Sequence, residues 1–167
     1  MKKLAFIHIT LALTICITFN SIAQDSIVDK RITISDIPVS IIPPKYFEYD
    51  SPTKKICHPG SMTTIQVKEA KGQNFKKITA AMTKKHFESQ GFTFLSKEET
   101  QMQDGNDAVI FRCKFSSHDN NGNEMTFIRL MLFTGKENTI WATADFPECI
   151  STQIEEPIKN SLTSISQ

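Results

Sequence analysis

The sequence predicts a mixed α/β fold of the α+β kind, in which an antiparallel meander sheet is covered by helices on both faces. The first observation is a stretch over residues 92–146 with the pattern of four consecutive strands joined by three polar turns. The second is that these strands carry apolar residues on both sides, which requires cover on both sides. The third is a segment of helical periodicity on either side of the meander in the chain.

The meander is predicted from its turns and from the alternation of its strands. An Asp-Gly pair at 104–105 is a strong hairpin signal, because glycine accepts the positive φ that tight turns require. The third strand is apolar on both sides and is interrupted on one side by Arg129. The predicted strands lie at 92–95, 108–115, 125–134 and 139–145, with polar turns at 103–106, 119–123 and 135–138.

The chain before the meander is predicted to hold short extended segments. Residues 31–34 and 39–42 have strand character, and Pro43-Pro44 stops the second of them, as prolines do at a sheet edge. Residues 45–59 are predicted as a loop and residues 61–68 as a strand.

Three aromatic residues of the predicted loop, Tyr46, Phe47 and Tyr49, have two interpretations. Aromatic side chains bury large areas, so closing the core is the favoured role. The alternative is that they stand exposed and contact a partner protein. They are therefore carried as candidate partner-binding residues.

A helix is predicted from Asn74 to near Gly91. Asn accepts hydrogen bonds from the free amides of a first turn, and Gly tolerates the left-handed conformation that ends a helix. One arc at helical spacing is predicted to face the sheet and carries Phe75, Ile78, Met82 and His86.

The opposite side of this predicted helix is basic. Lys77 and Lys84 lie nearly one above the other, and Lys76 and Lys85 flank them, so that the four side chains form a basic ridge. A solvated helix face is the favoured interpretation, and contact with an acidic partner is the alternative. Phe87 is the misfit, because regular helical phase places its ring beside the lysines, which makes it a candidate for an exposed partner contact.

A second helix is predicted to close the fold after the meander. Its apolar stripe recurs at near-helical spacing and consists of Ile150, Ile154, Ile158, Leu162 and Ile165. Thr152 and Glu155 have the spacing of a capping box. Because Pro157 lacks a backbone donor, regular helix is expected to begin only near that residue.

The first 23 residues have the pattern of a secretory signal peptide, with a basic start, an apolar run too short for a membrane span, and a small-residue exit. The alternative is a lipid anchor at Cys16, although Ile15 stands where a lipobox has a small residue. The predicted organisation is a signal peptide at 1–23 with cleavage near Ala23, an N-terminal lead at 24–36 and one domain at 37–167.

The charge balance argues against a nucleic-acid partner. The 167 residues hold 19 basic and 18 acidic side chains. Cleavage after Ala23 would remove Lys2 and Lys3 and no acid, leaving 17 basic against 18 acidic side chains and a net charge of about −1. A chain so balanced lacks the basic excess that neutralises phosphates.

Three cysteines follow the predicted cleavage site, in a compartment that permits disulfides. Cys113 falls on an apolar side of a strand and is predicted to be a small buried hydrophobe. Cys57 and Cys149 lie near the ends of predicted elements and are the candidate disulfide pair. Cys57, His58 and Cys149 could in principle bind zinc or copper, but adjacent residues lack the usual ligand spacing, so no metal site is expected.

The sequence carries no catalytic constellation that we recognise. None of His58, His86 and His118 stands in a nucleophile-elbow, metalloprotease or phosphate-loop spacing. Neighbouring carboxylates such as Glu98-Glu99 point apart on a strand or helix and do not form an acid-base pair unaided. We therefore expect neither an enzyme nor a cofactor-binding protein.

Five short segments, taken in their order along the chain, carry a family resemblance: VSIIPPKYF at 39–47, TIQV at 64–67, DGNDA at 104–108, WATADFP at 141–147 and SLTSI at 161–165. Together they resemble the PsbP-like superfamily, which includes the bacterial DcrB-like envelope proteins. The resemblance covers residues 37–165. It implies an antiparallel sheet with helices on both faces and a binding or assembly role without catalytic residues.

Two classes of function follow from these observations. The favoured one is a non-enzymatic exported module that binds another envelope protein through an exposed sheet edge or the segment 43–59. An immunity or inhibitor protein for an envelope-acting toxin is one version of it. The alternative is a small-ligand or metal carrier that uses the space between sheet and helix, with Cys57, His58 and Cys149 as conceivable ligands.

Overall fold

The computed structural model describes residues 30–118 and 121–167. The predicted signal peptide, its cleavage site and the alternative anchor at Cys16 lie outside these residues. The strands are β1 Ile32–Thr33, β2 Ser40–Ile41, β3 Glu48–Asp50, β4 Lys55–Cys57, β5 Thr64–Ala70, β6 Thr93–Gln101, β7 Asp107–His118, β8 Glu124–Thr134 and β9 Thr139–Pro147. The helices are α1 Phe75–Ala81, α2 Lys84–Ser89 and α3 Ser151–Thr163.

Seven strands form one antiparallel sheet in the order β3-β4-β5-β9-β8-β7-β6. The predicted meander is confirmed as β6 to β9, and its longest pairing joins β7 to β8, from Ala108 opposite Thr134 to His118 opposite Glu124. Strand β5 adds to the far side of β9, with Ile65 opposite Ala144. The sheet therefore ends in two edges, the long strand β6 and the short strand β3.

Each face of the sheet has its own hydrophobic core, so the predicted helix cover on both faces is confirmed. The core on the α3 side of the sheet, called the α3-side core, contains apolar side chains of the sheet, of α3 and of the β1–β2 segment. Among them are Ile158 and Leu162 of α3 and Ile41 of β2. The α1/α2-side core is smaller and joins Phe75 and Phe87 to apolar side chains of β7 and β8. It covers the β6 to β8 part of the sheet.

The N-terminal lead predicted over 24–36 is wrong at its C-terminal end. Strand β1 lies within it, Ile34 is buried in the α3-side core, and an Nη1 of Arg31 donates a hydrogen bond of 2.7 Å to the carbonyl of Ser164. These residues pack on the end of α3, so the folded domain includes Arg31 and the strand β1 that follows it. The two short extended segments predicted on either side of residues 35–38 are confirmed as β1 and β2.

The loop predicted over 45–59 is also partly wrong, because it contains the β3–β4 hairpin. Glu48 lies opposite Cys57 and Asp50 opposite Lys55. Each strand has only three residues, which is too short for alternation to reveal it, and pairing with β5 gives this hairpin its stability.

The helix predicted from Asn74 to Gly91 is broken into two. The side chain of Asn74 caps α1 as expected, but Met82 leaves the helical conformation and Thr83 caps a new helix by accepting a hydrogen bond from the amide of His86 at 3.3 Å. The break changes the helical phase. His86, predicted to face the sheet, is exposed, and Phe87, predicted to be exposed, is 2% accessible.

Helix α3 begins earlier than Pro157. It starts at Ser151, directly after a 3-10 turn at Glu148–Ile150, and Pro157 lies inside it on the exposed side. The predicted capping box does not form, because Glu155 instead accepts two hydrogen bonds from Arg112 of β7, at 2.9 and 3.0 Å. This ion pair ties the first half of α3 to the sheet.

Replacement of Phe87 by Ala should lower the free energy of unfolding by about 3–4 kcal/mol, because the ring lies 5.2 Å from that of Phe111 and 5.6 Å from that of Phe94 inside the α1/α2-side core. Urea denaturation followed by circular dichroism measures the change. Lys85→Ala on the exposed side of α2 is the control and should stay within about 0.5 kcal/mol of the parent. Equal stability of the two variants would contradict burial of Phe87.

Candidate partner-binding surfaces

The seven predicted partner-binding residues do not form one surface. Phe87 is buried and is excluded as a contact residue. Phe47 and Tyr49 belong to the fold, since Phe47 is 9% exposed against His58, and the Tyr49 hydroxyl accepts a hydrogen bond from the Ser35 amide at 3.0 Å. Both aromatics therefore contribute to the packing of the domain.

The three lysines are exposed but do not form a common ridge. Lys76 and Lys77 lie on α1, whereas Lys84 lies on α2 beyond the break. Lys76 pairs with Asp107 at 2.9 Å and Lys84 is 3.7 Å from the carboxylate of Glu88, both on the open surface. Exposed pairs of this kind contribute little to stability, and the geometry fits a solvated surface of mixed charge.

Tyr46 is the one of the four candidate partner-binding aromatics that the structure places in solvent, with 70% of the residue exposed. It lies in a tight turn that is closed by a hydrogen bond of 3.1 Å from the Phe47 amide to the Pro44 carbonyl. Tyr46 is the third residue of this turn and has a φ of +69°. A turn of this shape normally has glycine or asparagine at that position.

The left-handed conformation of Tyr46 lowers the stability of the domain, and the contacts of its ring within the domain do little to offset this. A residue with a Cβ atom in the left-handed region is destabilised by roughly 1–2 kcal/mol. The ring buries little surface, and its recorded contact is the ammonium of Lys45, 4.7 Å from the ring centre. Stability therefore does not explain a tyrosine here.

The residues just before Tyr46 form one wall of a groove of about 250 Å³. Pro43, Pro44 and Lys45 line that wall, and the other wall includes Asn160 and Ser164 from the end of α3. The walls are held together, because the amide of Ile42 donates to Ser164 Oγ at 2.9 Å and Ser161 Oγ donates to the Ile42 carbonyl at 2.6 Å. The turn is thus presented by a rigid base.

A second exposed surface is the side of β5 and β9 that α1 and α2 leave bare, which we call the bare half-face. Its side chains are partly or fully exposed and comprise Gln66, Lys68, Trp141, Thr143 and Asp145. Sequence reasoning did not select Trp141 as a site. The available signal was its position on the polar side of a strand whose other side carries Ile140, Ala142 and Ala144.

Arg129 borders the bare half-face and explains the interruption of apolar residues in β8. Its guanidinium donates to both carboxylate oxygens of Asp145 at 2.6 Å and lies 5.0 Å from the ring centres of Phe92 and Phe115. The hydrogen bond to Asp145 raises the pKa of Arg129. The pair is structural, because both partners are held by strand register as well as by each other.

A cleft of about 730 Å³ lies between α1 and the β6–β7 hairpin. Phe75 and Val109 form an apolar floor, and Lys97, Glu99 and the Lys76–Asp107 pair form a charged rim. Opposite charges alternate along the rim without a converging nucleophile and base. The cleft has the room for a ligand but no arrangement that points to a reaction.

The predicted Cys57–Cys149 disulfide is not formed. Both thiols are free, as is Cys113. Cys57 of β4 lies opposite Thr64 of β5, and Thr64 lies opposite Asp145 of β9, so β5 and the end of β9 lie between Cys57 and Cys149. Burial raises the pKa of Cys113 to about 11 and also raises that of Cys57.

Within the described ranges, no three His, Cys, Asp or Glu side chains come together as a metal site requires. Over the same residues no helix combines the length and the apolar character needed to cross a membrane.

No family model matches the chain, and no curated protein sequence matches it. Solved structures do match its fold. LpqN of Mycobacterium tuberculosis, described as involved in cell envelope biogenesis, aligns with a TM-score of 0.55 at 11% identity over 82% of this chain and 88% of its own. PA94 of Pseudomonas aeruginosa, a protein of unknown function, aligns with a TM-score of 0.50 at 13% identity over 63% of this chain and 72% of its own. At these identities the likeness shows a shared fold.

The three described thiols should differ in reactivity. At pH 8 a thiol with a pKa of about 11 is ionised in roughly one molecule in a thousand, so native Cys113 should resist iodoacetamide until the protein unfolds. Cys149 is exposed and should react first, with Cys57 slower. Peptide mapping by mass spectrometry separates the sites, and labelling of native Cys113 as fast as Cys149 would refute the burial.

The strain at Tyr46 predicts that glycine is better for stability at this position. Tyr46→Gly should raise the free energy of unfolding by about 0.5–1 kcal/mol, since relief of the left-handed conformation outweighs the entropy cost of glycine. Tyr46→Ala is the matched control, because it removes the ring but keeps the Cβ atom. It should remain within about 0.5 kcal/mol of the parent in urea denaturation. A glycine variant less stable than the alanine variant would show that the turn is unstrained.

Proposed function

We propose that this protein is a non-enzymatic, exported module that binds a protein partner in the cell envelope, with the Tyr46 turn and its adjoining groove as the contact. The observation that carries the proposal is the strained and exposed Tyr46. Backbone strain and a large exposed aromatic are both features of binding sites, and tyrosine is enriched among the residues that dominate interface energies.

The envelope assignment is supported by two independent features. The first 23 residues have the pattern of a signal peptide, and LpqN, which shares the fold, is described as involved in cell envelope biogenesis. Membership of the PsbP-like superfamily, and of its DcrB-like branch, is part of the same proposal. It accords with the sandwich fold and with the short segments quoted above.

The proposal assigns no catalytic role. The half-buried ion pairs between elements serve the fold. Arg112 with Glu155 joins β7 to α3, Arg129 with Asp145 joins β8 to β9, and Lys114 with Glu148 joins β7 to the 3-10 turn. Groups engaged in this way are not poised to move protons on a substrate.

Site-specific photocrosslinking tests the contact directly. With p-benzoylphenylalanine in place of Tyr46 in the full chain, irradiation of intact cells of the source organism should give one defined adduct, identified by mass spectrometry. The same amino acid in place of Lys85, on the exposed side of α2, is the control and should give none. No adduct at residue 46, or the same adducts at both positions, would refute the proposal.

Once the partner is purified, the contribution of the ring can be measured. Tyr46→Gly should weaken binding by about tenfold or more while the domain becomes more stable. Opposite changes in affinity and stability separate loss of a contact from loss of the fold. Unchanged affinity would mean that the turn lies outside the interface.

A further inference from the structure

Strand β6 is a long open edge of the seven-stranded sheet. It has nine residues, and within the described part of the chain it pairs with β7 alone. The backbone groups of successive residues in an antiparallel strand point alternately toward one neighbour and toward the other. The amide of Met102, directly after β6, donates across the hairpin to the carbonyl of Asn106 at 2.8 Å. Counted back from Met102, the backbone groups of Gln101, Glu99 and Lys97 therefore point outward, where a further strand can pair with them.

The side chains at the middle of this edge are charged and exposed. Lys97 and Glu99 lie on the α1/α2 side of the sheet, where both line the cleft beside α1. No ion pair joins either of them to another side chain of residues 30–118 and 121–167. Glu98 points to the α3 side, where Lys159 of α3 lies 3.2 Å from its carboxylate. The edge therefore carries one cation and one anion that have no ion-pair partner in the domain.

A second copy of the same strand supplies both missing partners. Two β6 strands can pair antiparallel about a two-fold axis perpendicular to the sheet, which keeps each side chain on its own side. With the axis at Glu98, Lys97 of each copy lies opposite Glu99 of the other, and both of these residues have outward-pointing backbone groups. An axis at Lys97 or at Glu99 would place like charges opposite each other. The charge pattern thus favours one register.

We propose that β6 is the interface of a homodimer, in which the two seven-stranded sheets join into one continuous antiparallel sheet. Lys97 and Glu99 pair across the axis twice on one side, and on the other side each Glu98 is neutralised by its own Lys159. Charged side chains protect an open edge from indiscriminate pairing, and here the same charges accept a second copy in one register.

The dimer leaves the Tyr46 turn free. That turn leads into β3, which is the opposite edge of the sheet, so neither proposal depends on the other. The paired segment is short and polar, which places the complex among small, transient interfaces with a Kd on the order of 10 µM.

Sedimentation velocity of the full chain after export, from about 1 to 500 µM, should show this monomer–dimer equilibrium. Lys97→Glu places a carboxylate opposite Glu99 twice and should raise Kd by about tenfold or more. Adding Glu99→Lys to the same chain restores opposite charges and should return Kd to within about threefold of the parent. Lys71→Glu makes the same charge change just after β5, four strands away, and should leave Kd unchanged.

Cysteine crosslinking tests the register. In a chain with Cys149→Ser, which removes the exposed native thiol, Glu98→Cys should form an intermolecular disulfide under mild oxidation. Residues opposite each other without backbone hydrogen bonds have Cα atoms about 4.5 Å apart, a distance that a disulfide can span. Ser96→Cys is the matched control on the same side of β6. Its two copies would be about 14 Å apart along the strands and should not crosslink.

Three results would overturn the inference. A natively folded chain that remains monomeric at about 500 µM would assign the edge to solvent or to a strand of another protein. A double variant that associates as weakly as Lys97→Glu would show that the opposite charges do not meet. Crosslinking of Ser96→Cys as readily as Glu98→Cys, or of neither, would contradict the register.

Discussion

The paired strands β7 and β8 are the constraint on which the rest of the structure depends. They are apolar on both sides: Val109, Phe111 and Cys113 face α1 and α2, while Ala108 and Ile110 face α3. Two adjacent strands of this kind cannot leave either side in water, because burial of such side chains supplies most of the favourable free energy of folding. The helices before and after the meander pack on these two sides, so the molecule is a three-layer sandwich where β7 and β8 lie.

The same constraint explains why part of the sheet stays bare. Strands β5 and β9 are apolar on the α3 side only, where Ile65, Ala142 and Ala144 are fully buried, and their other side carries polar groups. One-sided strands are stable with one face in water. The boundary between covered and bare sheet falls at Arg129, whose charge is satisfied by Asp145 while its guanidinium stacks against Phe92 and Phe115. A cation in an otherwise apolar strand therefore marks where the helical layer stops.

The sequence was sufficient to predict the meander but not all of the elements that precede it, for physical reasons. Long strands bounded by turns such as Asp104-Gly105 can be recognised from the local sequence. The β3–β4 hairpin cannot, because its stability comes from pairing with β5. The helix break was harder, because Met82 has no special backbone propensity, although Thr83 is an ordinary N-cap residue whose signal was available. This single break changes which residues of α2 face the sheet. Phe87, a candidate contact residue in the sequence, is therefore part of the core. Of the candidate partner-binding aromatics, only Tyr46 remains in solvent, and its positive φ could not be read from residue types at all.

The two exposed aromatics differ in what holds them, and this difference bears on what each can do. Trp141 stands between its two cross-strand neighbours, with the Phe133 ring stacked against the indole from β8 and the Lys68 ammonium over the ring from β5. Its plane is therefore held by the row of side chains that strand register creates. Tyr46 has no such support, and its direction is set by a strained backbone on a rigid base formed by α3 and Ile42. A ring that projects from a turn can enter a pocket on another protein, whereas a ring held between two neighbours on a sheet cannot. The geometry thus separates a projecting contact, Tyr46, from an aromatic ring that belongs to the packing of the sheet, Trp141.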